Sequence, residues 1–569
     1  MDRRRFLAVA RGEEAADLVI RGGRVVDVFT GEVLEVEVAV AEGLVAALGG
    51  EREGLEELDA GGAFVVPGLI DPHVHLESSL VTPLELARAV VPRGTTAVVC
   101  DPHELANVAG IEGVRWLLEA SEGLPLAVYV NAPSCVPATH LATAGAELGA
   151  EDLVPLLDHP RVLGLAEVMN VPGTVLGDPG VWAKLEAFAG RPVDGHAPGL
   201  GGPWLDAYVA AGPATDHECM TVEEAREKLR RGMRVFLRQG TAARNLVDLL
   251  PVIDPWTAPR CAFCTDDRHP HDLLDEGHMD HLVRLAVSNG LAPELAIRLA
   301  TLGAAEPYGL ARHGAVAPGR RADLVLTRSL DDFHAEVVLS AGRIVAREGR
   351  PVGTWPEPRA DARAVRGRMR VDLDAVDLAV PAGGEVRVIG IVPGQLVTED
   401  RRLELPESGG EHRADPARDI AKLAVIERHR GSGRVGVGFV QGLGFGSGAV
   451  AGTVAHDHHN LMVAGMDDAS MMTAARAVAE HGGGLAVALE DRVAAVLPLP
   501  VAGLISERPL EEVRRRLDAL LGAFHELGGR GDPFMMLSFL GLEVIPELKL
   551  TDRGLVDVGR FELVPLHAG

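Results

Sequence analysis

Two histidines one residue apart, His73 and His75, follow an apolar run that ends in Asp71 and Pro72. Alternate residues at a strand end project to the same side, so both imidazoles can reach one metal ion. Standing alone, an H-x-H pair is weak evidence, and two solvated loop histidines explain it as well. It does not stand alone, because Glu167, His196, His217 and Asp266 each close a further short apolar run. Imidazole and carboxylate together suit Zn, Fe or Mn, and a glutamate between two ions can bridge them. We assign His73, His75 and Asp266 to one ion, His196 and His217 to a second, and Glu167 to both.

Such a set needs a scaffold that brings distant segments to one rim. Eight short apolar runs alternate with helical patterns: Ala63–Ile70, Thr95–Cys100, Leu126–Asn131, Leu163–Val168, Arg191–His196, Ala214–Glu218, Arg234–Gln239 and Cys261–Asp267. Buried parallel strands separated by helices over about 250 residues predict an α/β fold, a TIM-like (β/α)8 barrel, whose active site gathers at the strand ends. Alternating Val/Leu/Ile runs with glycine turns occur before and after it, as in LVIRGGRVVDV and AEVVLSAGRIVAREG. They predict one small β domain made from two distant segments, residues 1–62 and 311–362, flanking a barrel of residues 63–310. Residues 363–569 read as a C-terminal α+β domain, with helices at Ala469–Glu480 and Leu510–Leu521.

The formal charge of −27 would repel a phosphate backbone, which argues against a nucleic-acid polymer as partner. No apolar run approaches the roughly 20 residues of a membrane helix, so no membrane partner is expected. Five cysteines are too few and too odd in number for a disulfide framework, which fits a reducing cytoplasm. Arg3, Arg4, Arg5, Phe6 and Leu7 imitate a twin-arginine export signal, but Arg11, Glu13 and Glu14 interrupt the apolar stretch such a signal needs.

The ligand set resembles the amidohydrolase superfamily, and the finer text narrows the likeness. PGLIDPHVHLESS, DPHELANVAG, PSCVPAT, GLAEVMNVPG, DGHAPGL, TDHE, TAARNL and CTDDRHP are similar in order and placement to motifs of the bacterial-type adenine deaminases. RVIGIVPGQLVTED, AHDHHNLMVAG and LSFLGLEVIPELKLTDRGLVD extend the resemblance over nearly the whole chain. Glu167 stands where dihydroorotases and hydantoinases would carry a carboxylated lysine. The resemblance implies hydrolysis of adenine, a purine base, to hypoxanthine and ammonia, with two divalent ions, Mn²⁺ or Fe²⁺ before Zn²⁺; a homo-oligomer, a dimer, is expected.

The chemistry agrees: two divalent ions depress the pKa of a bridging water so that hydroxide can attack C6 of a purine near neutral pH. Asp266 is placed to take the proton and pass it to the departing amine. A second acid must protonate the ring nitrogen. Glu104 is the first candidate, with Asp101 and His103 beside it, although a DPHE loop can also simply cap a helix. Ser134, His269, His456 and His458 are candidate substrate contacts. The cluster from His456 to Asn460 reads equally as a lid, an extra metal site or a hydrogen-bonded turn. Gln239 stands where the family usually has a glutamate, so no charge-dependent role is given to residues 238–245. His75-Leu76-Glu77 with Cys261 and Cys264 could suggest a zinc cytidine-type site, but Arg260 replaces the proline of that pattern and the thiols lie within an apolar strand. Another amidohydrolase activity, on a cyclic amide, an amino-sugar amide or a different aminopurine, would use the same metals. A non-catalytic metal-binding scaffold would be expected to have lost ligands.

Overall fold

The computed structural model describes residues 2–357 and 360–568. Eight parallel strands form the central unit: β1 Leu69–Val74, β2 Thr95–Cys100, β3 Ala127–Ala132, β4 Val162–Val168, β5 Val193–Gly195, β6 Thr215–Asp216, β7 Arg234–Arg238 and β8 Cys261–Cys264. The ladder runs in chain order from β1 to β5 and from β6 to β8. Two sparse seams join these arcs. Ala214 N donates to Val193 O at 2.9 Å beside β5 and β6, and Asp266 N donates to His73 O at 3.0 Å between β8 and β1.

Strand periodicity explains how the ligands come to share one space. Side chains alternate between faces. Ala97 and Val99 of β2, Phe236 of β7, and Ala262 and Cys264 of β8 pack together in the interior cluster. Val98, Val235, Leu237 and Phe263 belong to a different cluster, against the helices. Following each inward face to or just past the strand end reaches Asp101, Arg238 and Asp266. Cys261 and Cys264 therefore lie on opposite faces of β8, in different clusters, and cannot jointly hold an ion. All five cysteines are free and buried.

The first expected run, Ala63–Ile70, divides at Gly68. Phe64–Pro67 is a strand of a separate seven-stranded sheet, and only Leu69–Val74 enters the barrel. A β-carbon at Gly68 would lie 2.1 Å from Thr96 Oγ1, so glycine permits the close crossing. In the small sheet Phe64–Pro67 pairs parallel with Arg24–Val26 and antiparallel with Leu324–Thr327, so chain-distant segments share one apolar layer. The arginine-rich start is a helix, Arg3–Arg11, capped by Asp2 and burying Val9 against the neighbouring four-stranded sheet.

The C-terminal segment carries an eight-stranded sheet, with helices Asp468–Glu480 and Leu510–Glu526. Asp467 caps the first, accepting from Ser470 N at 2.7 Å. Between strands Ala449–Gly452 and Leu461–Gly465 the chain leaves the sheet as a loop that reaches the barrel mouth. No helix among the described residues is long and apolar enough to cross a membrane.

Candidate metal centre

Glu167, one residue before the end of β4, stands between two histidine pairs. Its Oε1 lies 3.2 Å from His75 Nε2 and 3.8 Å from His73 Nε2. Its Oε2 lies 2.7 Å from His196 Nδ1 and 3.4 Å from His217 Nε2. Asp266 Oδ1 is 3.1 Å from His75 Nε2 and 3.5 Å from His73 Nε2. All six residues are buried. The structure thus brings His73, His75, Glu167, His196, His217 and Asp266 to one mouth.

These donors fit divalent ions. His73 Nε2 and His196 Nε2 are buried with no hydrogen-bond partner among the described residues. Groups such as His73, His75 and Asp266, or His73, Glu167 and His217, have ligand atoms within 4.8 Å of one another. His75 Nδ1 pairs with the Asp101 carbonyl at 3.1 Å, an arrangement that makes Nδ1 the protonated nitrogen and leaves Nε2 free to ligate. Behind β6, Asp216 accepts from Ala197 N at 2.8 Å and from Lys228 Nζ at 2.9 Å, tying the ends of β5 and β6 together. Burial alone would raise the Asp216 carboxyl, but Lys228 and His217 outweigh it and carry it down to about 2.

The carboxylates stay ionised. Burial pushes Glu167 and Asp266 up, yet the net direction for both is well below the usual range, Glu167 through His196 and Asp266 first through Arg238. Arg238, at the end of β7, donates to Asp266 Oδ2 at 2.6 Å and through both terminal nitrogens to Glu218. Neither Arg238 nor Glu218 was in the sequence-derived set. The available signal was the inward parity of the run RVFLR and the acid that directly follows His217. Arg238's neighbour Gln239 is buried with Oε1 unpartnered among the described residues.

The candidate proton-transfer residues lie at the end of β2. Asp101 Oδ2 is 2.9 Å from His103 Nδ1, and His103 Nε2 is 3.4 Å from Asp457 Oδ1 of the C-terminal loop. Glu104 has His456 Nδ1 on one oxygen and His459 Nε2 on the other. Burial pushes Glu104 up, but the histidines hold it well below the carboxylate range. Burial pulls His456 down and Glu104 more than restores it, to about 9. The pair therefore favours a charged Glu104 beside a protonated His456. The residues from His456 to Asn460 form a turn and not a strand, which lets two nearby histidines converge on one glutamate.

His75, His103, Glu104, Glu167, His196, His217, Arg238, Asp266, His456 and Asp457 line one narrow cavity, with Leu396, Phe539, Leu542 and Ile545 as its apolar wall. His456 stacks on Phe539 with ring centroids 4.5 Å apart. Three candidate substrate contacts lie elsewhere. Ser134 donates to the Glu167 carbonyl and faces a wider cleft with Lys184, Arg430 and Arg553. His269 meets Asp532 at 3.3 Å. His458 Nδ1 accepts from Asn460 N at 3.0 Å, fixing the turn.

Residues 64–345 match the amidohydrolase family, and residues 395–562 match the adenine deaminase C-terminal domain. Among curated relatives, the adenine deaminase of Desulfatibacillum aliphaticivorans is 50% identical over 566 residues, covering 98% of this chain and 99% of the relative. Adenine deaminase 2 of Carboxydothermus hydrogenoformans is 49% identical over 566 residues, covering 99% of each chain. Among solved structures, an adenosine deaminase from Xanthomonas campestris with bound zinc is 18% identical, with a TM-score of 0.46, over 60% of this chain and 95% of that one.

Proposed function

The chain belongs to the adenine deaminase family of amidohydrolases, and from that premise we infer that it hydrolyses adenine to hypoxanthine and ammonia. The observation that carries this reading is Glu167, with one oxygen facing His73 and His75 and the other facing His196 and His217. The enzyme uses a divalent metal. We assign two ions, Mn²⁺ or Fe²⁺ with Zn²⁺ as the alternative, held by His73, His75 and Asp266 on one side and His196 and His217 on the other, with Glu167 shared. Bound there, such ions supply Lewis acidity that brings the pKa of a water toward neutrality.

The protein's own groups handle the protons. Asp266, kept ionised beside Arg238, accepts the proton of the attacking water and returns it to the amine, which leaves as ammonia when the bond from C6 to the exocyclic nitrogen breaks. The protonated His456, paired with Glu104, supplies the proton that the ring nitrogen gains as water adds to C6, and it is reprotonated by the second water proton when the C6 hydroxyl becomes the carbonyl of hypoxanthine. His103, between Asp101 and Asp457, orients that wall of the cavity. The apolar wall of Leu396, Phe539, Leu542 and Ile545 excludes water and offers its surface to a flat base. Five buried free thiols suit a cytoplasmic enzyme.

The test is to incubate Mn²⁺-loaded protein with adenine and follow ammonia and hypoxanthine, with His196→Ala alongside. Turnover in the wild type that the substitution abolishes supports both substrate and metal site. An inactive wild type that binds two ions would remove the adenine assignment and leave the amidohydrolase site standing.

A further inference from the structure

A second cluster of ligand-type side chains lies outside the cavity, where the loop after β8 meets the C-terminal segment. His269, His271 and Asp532 offer ligand atoms within 4.8 Å of one another. His269 Nδ1, His271 Nδ1 and Asp532 Oδ2 are each buried with no hydrogen-bond partner among the described residues. The His269 side chain is only 3% exposed. Leaving a buried polar atom unsatisfied costs about 1–3 kcal/mol, so three of them in one place require a reason.

A plain ion pair does not supply that reason. His269 Nδ1 and Asp532 Oδ2 are 3.3 Å apart, an ion-pair distance that does not meet hydrogen-bond geometry and leaves His271 Nδ1 without a partner among the described residues. Nor does a simple helix cap: the other oxygen of Asp532 already caps the helix Pro533–Phe539, accepting from Phe534 N at 2.8 Å and leaving Oδ2 free. Two imidazole nitrogens and one carboxylate oxygen are the donor set that Zn²⁺ takes in tetrahedral sites, with water as the fourth ligand. His271, with a quarter of its side chain exposed, gives that water access.

We propose that His269, His271 and Asp532 bind a further divalent cation, Zn²⁺, separate from the ions at the barrel mouth. The site ties two parts of the active cavity together. His269 lies three residues beyond Asp266. Asp532 opens the helix that carries Phe539, part of the cavity's apolar wall. The ion would link the loop after β8 to the helix that carries Phe539, keeping one position open to water.

The experiment measures Zn²⁺ equivalents per chain by equilibrium dialysis and elemental analysis. It uses chelator-stripped full-length wild type, His271→Ala, Asp532→Asn and Glu167→Gln, with folding checked by circular dichroism. The expected result is one equivalent fewer in His271→Ala and Asp532→Asn than in wild type. Glu167→Gln should lose mouth ions and keep this further ion. As a second readout, Co²⁺ bound to Glu167→Gln should give a tetrahedral visible absorption band that disappears in Glu167→Gln/His271→Gln. Equal Zn²⁺ content in wild type and folded His271→Ala or Asp532→Asn would overturn the proposal, as would a Co²⁺ band that survives in the double variant. Because the readout is a difference of one equivalent, it stands whatever number of ions the barrel mouth holds.

Discussion

Glu167 and Glu104 are two buried glutamates a short way apart, each with histidines at both oxygens, and they are built for different work. Around Glu167 three of the four imidazole nitrogens stand back by 3.2 to 3.8 Å, and two histidines keep a buried nitrogen without a partner among the described residues. Around Glu104 two imidazoles close directly on the carboxylate. The first spacing leaves room for ions to mediate the contact, and the second replaces ions with protons. The same residue types thus make, on the proposed reading, a metal-holding set where the histidines arrive on strand ends and a direct imidazole–carboxylate contact where they arrive on a loop.

The contrast can be broken most severely at Glu167. Glu167→Gln should empty the mouth of metal and reduce adenine turnover by more than about a thousandfold, beyond the ten- to hundredfold typical of groups behind the ligands. Elemental analysis beside an ammonia assay checks it, and a variant that keeps full metal content would contradict the bridging role. Next in size is Arg238→Ala, which leaves the Glu218 and Asp266 carboxylates buried without their cation. Breaking such a pair costs about 3–5 kcal/mol, readable by urea denaturation.

Glu104→Gln should keep the metals and lower turnover by about ten- to hundredfold, because His456 loses the charge that holds its proton. Metal loss in this variant would erase the distinction between the two glutamates.

A third buried glutamate sharpens the comparison by having no histidine. Glu543, whose Oε1 accepts from Thr139 Oγ1 at 2.8 Å, is pushed by burial from 4.5 up to about 7. Its proton is therefore kept on folding, so its contribution is intact below about pH 4.5 and is lost as pH rises through 7. Each pH unit within that window should remove about 1 kcal/mol, and Glu543→Gln should flatten the loss in thermal melts taken from pH 5 to 8. An unchanged pH profile would show that Glu543 is ionised in the native state.

What the sequence made legible follows from regular structure. Strand ends repeat in chain order and alternate in facing, so Glu167, His196, His217 and Asp266 could be placed before any coordinates. What it hid depends on contacts between distant loops. Nothing local says that His456 and His459 close on Glu104 from more than 350 positions away, or that Ser134 turns toward a different cleft from the residues flanking it in space. Arg238 was hidden for another reason: Gln239 in place of the usual glutamate took charge-dependent roles away from residues 238–245, whereas Arg238 itself pairs with Glu218 and Asp266. The first barrel strand was drawn too early because Gly68 interrupts no apolar pattern while it changes sheets.

That crossing at Gly68 also sets a clock. Phe64–Pro67 waits for Leu324–Thr327 as its antiparallel neighbour, and some 257 residues separate Pro67 from Leu324. At a synthesis rate of about 5–20 residues per second, the edge of the small sheet stays open for roughly 13–50 s while the barrel emerges from the ribosome. The nascent chain must therefore carry a valine-rich strand with one open edge, its other edge facing Arg24–Val26, through the whole of barrel synthesis. This makes the small sheet, remote from the chemistry, a point at which a newly made chain is exposed to capture by another copy of itself.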